Sequence, residues 1–276
     1  MEVRVACFGD VVGSPGRKIL GRLLPGFVRD REIHLVVVNG ENMAGGSGIT
    51  EATYKEIRRA GADVVTSGDH VFKRSEVISL LEREPSLLRP ANYPKKAAGR
   101  GFVVATARNG VEVGVINLVG RVFMGPAECP FLAAQDLVDR IRQKTPLIFV
   151  DMHAEATSEK IAMGWFLDGR VSGVFGTHTH VQTADEVVLP GGTGYLSDLG
   201  MTGPHEGVLG RKVKPVLHRF LTNMPASFKE ASDWVLAKGA LFTVDHSTGR
   251  CLSVERVVLS DPGAGPTRVG GGFKEK

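Results

Sequence analysis

The sequence predicts a mixed α/β sandwich, two sheets packed together with helices outside them, and three observations carry that prediction. Over the first half of the chain, apolar strand-like runs alternate with helical patterns, as in β-α-β units whose sheet is covered on its faces. Farther on, two pairs of β-rich runs meet at hairpin turns, which a purely parallel sheet does not contain. Glycine supplies 35 of the 276 residues, which suits many tight turns and close backbone approaches.

In chain order, VRVACFG reads as a strand and GRKILGRLLPGF, with apolar residues at helical spacing, as a helix. The same alternation continues through HLVVVNG, TEATYKEIRRAG, DVVTSG and SEVISLLERE. RGFVVATARNGVEVGVINLVGRV then holds two β-rich runs, with Asn109 and Gly110 as the turn between them. A helix at AAQDLVDRIRQ precedes the runs PLIFVDMHAEA, VSGVFGTHTH and EVVLPGGTGYLSD. The last element is a hairpin, GALFTVDHSTGRCLSVERVVL, turning at Ser247-Thr248-Gly249.

No linker or repeat divides the chain before about residue 261, so residues 1–261 read as a single domain. Residues 262–276 are Gly-rich and short of large apolar side chains, and are expected to be a disordered tail. A net charge of +4 without a Lys/Arg block suits an anionic small ligand, or RNA, without demanding either. No charged n-region leads into an apolar h-region, and no segment approaches the ~18 apolar residues of a membrane span, so the reading is cytoplasmic, without a membrane partner. Cys7, Cys129 and Cys251 are an odd number at wide spacing, read as reduced, with Cys7 a core residue.

Chemistry concentrates where the apolar runs end, the edge at which α/β sheets bind ligands. The runs end in Asp10, in Glu41 and Asn42, in Asp69 and His70, in Asp151 and His153, and in His178 and His180. His178 and His180, two apart in an extended segment, lean to one side and can share a metal. Taken singly, Asp10 could cap the next helix, Asn42 could be a turn residue and His153 a structural histidine. Together they form a mixed nitrogen and oxygen donor set without thiolate, which suits manganese, iron or zinc. The set exceeds the needs of one tetrahedral ion and matches two ions sharing a carboxylate, as in phosphatases and nucleases. A dinucleotide site at GDVVGSPG competes poorly, because the G-x-G-x-x-G spacing is absent.

FGDVVGSPGR, NGENMAGG, SGDH, DMHAEATSEK, GTHTHVQTAD and SDLGMTGP, in this order across residues 1 to 260, resemble the YmdB-like bacterial group of calcineurin-like metallophosphoesterases, the 2′,3′-cyclic-nucleotide phosphodiesterases. The resemblance implies a four-layer α-β-β-α sandwich, two transition-metal ions with iron favoured over manganese or zinc, and a homo-oligomer. It implies Asp10, Asn42 and His180 on the first metal, Glu41 as the bridge, and Asp69, His153 and His178 on the second. His70 matches the family's catalytic histidine. The implied reaction is attack of a metal-bridged hydroxide on a 2′,3′-cyclic nucleotide such as 2′,3′-cAMP, with His70 protonating the leaving ribose oxygen.

Two departures bear on activity. Gly68-Asp69-His70 stands where the family has Gly-Asn-His, and the added carboxylate should hold hard cations more tightly while making them less electrophilic, slowing turnover or moving it to higher pH. Val71-Phe72-Lys73 stands where Thr-Trp-Asp is common, with Lys73 either reshaping the site's rim or facing solvent. Glu155, Ser158 and Lys160 either support the site from behind or contact the phosphate, or else TSEK opens a helix with Glu159 and Lys160 in its first turn; the helix is the preferred reading. The rival functions on the same motifs are a low-turnover regulatory or RNA-associated protein and a phosphomonoesterase or nuclease. Cys129, His34, His205 and His218 suggest no role, and His246 sits beside the predicted hairpin turn.

Overall fold

The computed structural model describes residues 1–266. The first sheet contains β1 (Glu2–Phe8), β2 (Leu35–Asn39) and β3 (Val64–Thr66) in parallel. The second contains β4 (Phe102–Thr106), β5 (Glu112–Val119), β6 (Ile148–His153), β7 (Gly173–Thr177), β8 (Val187–Val188) and β9 (Gly194–Leu196). In it, β5, β6, β7 and β9 run parallel, with β4 and β8 antiparallel to their neighbours. Back in the first sheet, β10 (Gly203–Pro204) and the long hairpin of β11 (Val235–Asp245) and β12 (Cys251–Ser260) complete six strands, with β11 antiparallel to β1.

Alternation along β1 shows how the layers arise. Val3, Val5 and Cys7 point between the sheets, packing with Val113, Val115, Phe149, Phe175 and Phe242. Ala6 and Phe8 point outward, against helices α1 (Gly13–Asp30), α2 (Glu51–Ala60) and α3 (Val77–Arg83). On the far side, Ile116, Ile148 and Val150 meet α4 (Pro130–Ile141) and α5 (Thr157–Phe166). The result is helix, sheet, sheet, helix, the expected four-layer α-β-β-α sandwich, with three apolar cores between successive layers. One short helix, α6 (Val213–Thr222), is absent from the sequence reading, although Val213, Val216, Leu217, Phe220 and Leu221 recur at helical spacing; only Val216 among them is buried.

Cys7, Cys129 and Cys251 are free, with Cys7 buried in the core. Among the described residues, no helix is long and apolar enough to cross a membrane. Of the expected tail, residues 267–276 lie outside the described residues.

Candidate metal centre

Five parallel strands, β1, β2 and β3 from one sheet and β6 and β7 from the other, direct their carboxyl ends to one edge of the sandwich. Asp10 follows β1, Glu41 and Asn42 follow β2, Asp69 and His70 follow β3, His153 ends β6, and His178 and His180 follow β7. Asp10 is not a helix cap: α1 opens at Val12 without a side-chain cap. The Glu41, Asp69, His153 and His178 donor atoms all lie within 4.8 Å of one another. His153 Nε2 is central, 3.1 Å from Glu41 Oε2, 3.2 Å from Asp69 Oδ1 and 3.0 Å from His178 Nδ1. Gly68 is required for this closeness, since a Cβ there would stand 2.2 Å from the His153 ring and 2.3 Å from Glu41 Oε2.

The other three expected ligands adjoin this group. Asp10 is fully buried; its Oδ2 accepts from the His178 amide at 3.1 Å, while its Oδ1 has no hydrogen-bond partner and lies 4.0 Å from His180 Nε2. Two ligands of one ion with bonds of about 2.1 Å stand roughly 3–4 Å apart, so this separation fits a shared cation. Asn42 turns its amide nitrogen to Glu41 Oε1 at 2.8 Å and to His180 Nε2 at 3.2 Å, and its oxygen to His70 Nδ1 at 2.9 Å. A half-turn of the amide would present the oxygen to the His180 side instead, as ligation requires.

The hydrogen-bond network determines which imidazole nitrogens are available. Thr177 Oγ1 donates to Asp151 Oδ1 at 2.7 Å, so at 2.8 Å it must accept the Nδ1 proton of His153, leaving His153 Nε2 toward the cluster. Asp151 also takes Asn39 Nδ2 at 3.0 Å and Thr66 Oγ1 at 2.5 Å, and burial pushes its carboxyl up to about 6. His178 Nε2 faces Glu155 Oε2 at 3.2 Å, which turns Nδ1 inward as well. His153 Nε2 and His178 Nδ1 then face each other at 3.0 Å beside two carboxylates, an arrangement that positive charge between them, a proton or a metal ion, satisfies.

Electrostatics agrees. Burial works to raise the Glu41 and Asp69 carboxyls, yet the neighbouring imidazoles hold both well below the carboxylate range. Burial would also lower His153, but Glu41, Asp69 and Asp10 drive it well above its ordinary value. Burial dominates at Asp10 and raises it, despite His180 and His153. Three carboxylates around the buried His153 ring and the partly exposed His178 ring form an acidic, oxygen- and nitrogen-donating cage, and the unpartnered Asp10 Oδ1 is the place where a positive charge is most plainly missing.

His70 stands beside the cage with its side chain one-third exposed. A hydrogen bond to the Glu41 carboxylate raises its pKa above the ordinary histidine value. Lys73 is exposed, and Phe72 before it stacks on Tyr93 with ring centroids 6.1 Å apart. Lys73 therefore follows the solvent-facing reading.

TSEK does open α5, as preferred, but its first turn is turned inward. Glu159 accepts from the Arg121 and Val122 amides, and Lys160 lies 2.7 Å from Asp198 under the His178–His180 turn. The helix reading and the supporting reading of Lys160 both hold. Sequence reasoning assigned no role to Asn39, Thr66, Asn117, Thr177 or Asp198, which form the buried polar band beneath the ligands. For Asp198 a signal existed, since SDLGMTGP is one of the motifs shared with the resembled family.

Comparison with known proteins places the chain in a family. The sequence model of the YmdB-like protein family matches residues 7–257. A 2′,3′-cyclic-nucleotide 2′-phosphodiesterase of Bacillus subtilis is 44% identical over 94% of this chain and 98% of its own length. A protein of Mycoplasma genitalium named as a putative phosphatase/phosphodiesterase is 32% identical over 94% of this chain and 95% of its own. Among solved structures, a hypothetical protein of Thermus thermophilus superposes with a TM-score of 0.85 at 40% identity, covering 93% of this chain and 99% of that one. A structure described as a novel phosphatase of Mycoplasma pneumoniae gives a TM-score of 0.88 at 29% identity, covering 94% of each chain. The chain thus belongs to the YmdB-like family and is a hydrolase of the metallophosphoesterase fold.

Proposed function

We propose that the protein is a dinuclear metal-dependent phosphodiesterase that hydrolyses 2′,3′-cyclic nucleotides. The observation that carries the metal is the pair of imidazole nitrogens, His153 Nε2 and His178 Nδ1, facing each other at 3.0 Å with their other nitrogens engaged by Thr177 and Glu155. The Bacillus subtilis relative's name supports the substrate class and cleavage at the 2′ ester. Asp10, Asn42 and His180 would hold one ion, Asp69, His153 and His178 the other, and Glu41 both. The donor set suits iron, with manganese and zinc as chemical alternatives. When bound, such ions neutralise phosphoryl oxygens and lower the pKa of coordinated water.

His70 is the general acid in this reading. The hydrogen bond to Glu41 that raises its pKa keeps a proton on the ring near neutrality, ready for the departing ribose oxygen. Glu41, whose Oε1 lies 3.4 Å from His70 Nδ1, orients the ring so that Nε2 is the proton-donating atom. Strain in the five-membered cyclic phosphate lowers the demand on that acid.

The test is hydrolysis of 2′,3′-cAMP against bis-p-nitrophenyl phosphate with manganese, iron(II) or zinc. Metal-dependent release of a nucleoside monophosphate, abolished in His70→Ala, is the expected result. Purified protein that takes up no transition metal under any of these conditions overturns the reading.

A further inference from the structure

We propose that residues Leu209, Val216, Phe220 and Phe228 form a nucleobase-binding wall that extends the metal centre. The inference deepens the phosphodiesterase reading and rests on it for the identity of the substrate. A cavity of about 680 Å3 opens over the cage, and its lining has two chemically distinct sets. Glu41, Asn42, His70, His178 and His180 form the polar set; the apolar set comes from the segment containing α6 and the loops on either side of it.

A cyclic phosphate and a ribose are polar throughout, and neither makes use of apolar lining. A base does: its flat faces stack on aromatic rings with little dependence on which base is present. Phe220 is 82% exposed and Phe228 40% exposed, so both keep ring surface open to solvent in a cavity continuous with the catalytic cluster. Arg219, which also lines the cavity, makes no ion pair among the described residues and offers a second flat group to a base. Leu221, 83% exposed, is not part of this lining.

The wall is tied to the cage rather than free of it. Arg211 donates from Nη1 to the Phe228 carbonyl at 3.2 Å and from Nη2 to the Gly46 carbonyl at 2.6 Å, in the loop that follows Glu41 and Asn42. Gly46 has a φ of +76°, and a Cβ on it would stand 2.5 Å from the Arg211 guanidinium, so the loop accepts this clamp only as glycine. Lys212 N to Lys229 O at 3.0 Å and Ala231 N to Gly210 O at 2.9 Å zip the two loops together. His180 Nδ1, 3.4 Å from the Leu209 carbonyl, joins the wall to a metal ligand. These bonds fix Leu209 and Phe228 relative to the cage.

The test compares 2′,3′-cAMP with glycerol 1,2-cyclic phosphate, which carries the same strained ester and no base, in wild type, Phe220→Ala, Phe220→Trp and Phe228→Ala. Equilibrium dialysis of labelled adenosine against the purified, metal-loaded protein supplies a readout independent of turnover. The expected result is that each alanine variant loses about 5- to 150-fold in kcat/KM for 2′,3′-cAMP relative to the base-free ester, and weakens adenosine binding, while Phe220→Trp retains both. Equal effects on the two esters, no effect on either, or a concentration-dependent loss of assembly with unchanged selectivity would overturn the wall. A wild type that binds adenosine through Phe220 and Phe228 but hydrolyses neither ester would support the wall and sink the phosphodiesterase reading instead.

Discussion

Lys160 Nζ lies 2.7 Å from Asp198 Oδ2, with both side chains 2% exposed, beneath the turn that carries His178 and His180. Asp198 also accepts from Thr179 N at 3.2 Å, Thr179 Oγ1 at 2.8 Å and Gly200 N at 2.8 Å. Those bonds hold a turn in which His178 and His180 have φ of 99° and 68°, a left-handed region costly for residues other than glycine. Lys160→Met would strand the Asp198 charge in the interior, a loss of about 3–5 kcal/mol. The expected outcome is a lower Tm together with less metal retained per chain, measured by thermal unfolding and elemental analysis. A Tm loss with full metal occupancy would separate the pair's structural role from any hold on the histidines.

Thr177→Val tests the relay beneath His153. Valine matches the shape of threonine but cannot accept the Nδ1 proton or donate to Asp151, so the ring loses the bond that presents Nε2. Metal affinity should fall about 10–100-fold, and Thr177→Ser should recover most of it. Competition with a chromogenic chelator reads the change directly; equal affinities for wild type and valine variant would refute the relay.

How much of this was legible beforehand depends on which side of the ligands a residue stands. Asp10, Glu41, Asn42, Asp69, His70, His153, His178 and His180 were legible because each ends a continuous apolar run, and the fold needs those runs to terminate at one edge. Asn39, Thr66, Thr177 and Asn117 were not, because a lone polar residue inside or at the end of a strand gives no hint of which strand in the other sheet it will meet. Asn39 reaches Asp151 across 112 residues and Ser67 reaches Asn117 across 50, contacts that exist only once two sheets face each other. The proposed wall was missed for a different reason: α6 has its apolar residues at helical spacing, but only Val216 is buried, and no sequence pattern shows that Val216 and Phe220 line a cavity beside the ligands.

His205 gives a stability prediction away from the metals. Its Nδ1 is 2.9 Å from the Gly203 carbonyl, its Nε2 is buried without a partner, and burial lowers its pKa to about 4. The unfolded chain, with an ordinary histidine near 6.5, takes up the proton first. Stability contributed by neutral His205 is therefore complete above about pH 6.5 and is lost as the pH falls from there toward 4. Denaturant unfolding at pH 7.5, 6 and 5 should show that decline, and His205→Gln should flatten it. An unchanged slope in the variant would assign the acid sensitivity elsewhere.

Asp69→Asn addresses the departure closest to the chemistry. Asp69 Oδ1 already stands at a ligand's place, 3.2 Å from His153 Nε2 and 3.5 Å from His178 Nδ1, so asparagine would keep an oxygen donor there and remove one negative charge. The lost charge also stood 3.7 Å from His70 Nε2, where it helps to raise the pKa of that ring. Removing an opposite charge favours the neutral imidazole, so His70 in Asp69→Asn should give up its proton at lower pH than in wild type. If His70 is the acid, the alkaline limb of kcat/KM against pH moves downward in the variant, and it disappears in His70→Ala. Metal should also dissociate more readily from Asp69→Asn, because a hard cation loses a carboxylate partner. A limb that stays in place in Asp69→Asn and persists in His70→Ala would assign the titrating acid to another group, while activity found only in Asp69→Asn would show the natural aspartate to favour metal retention over turnover.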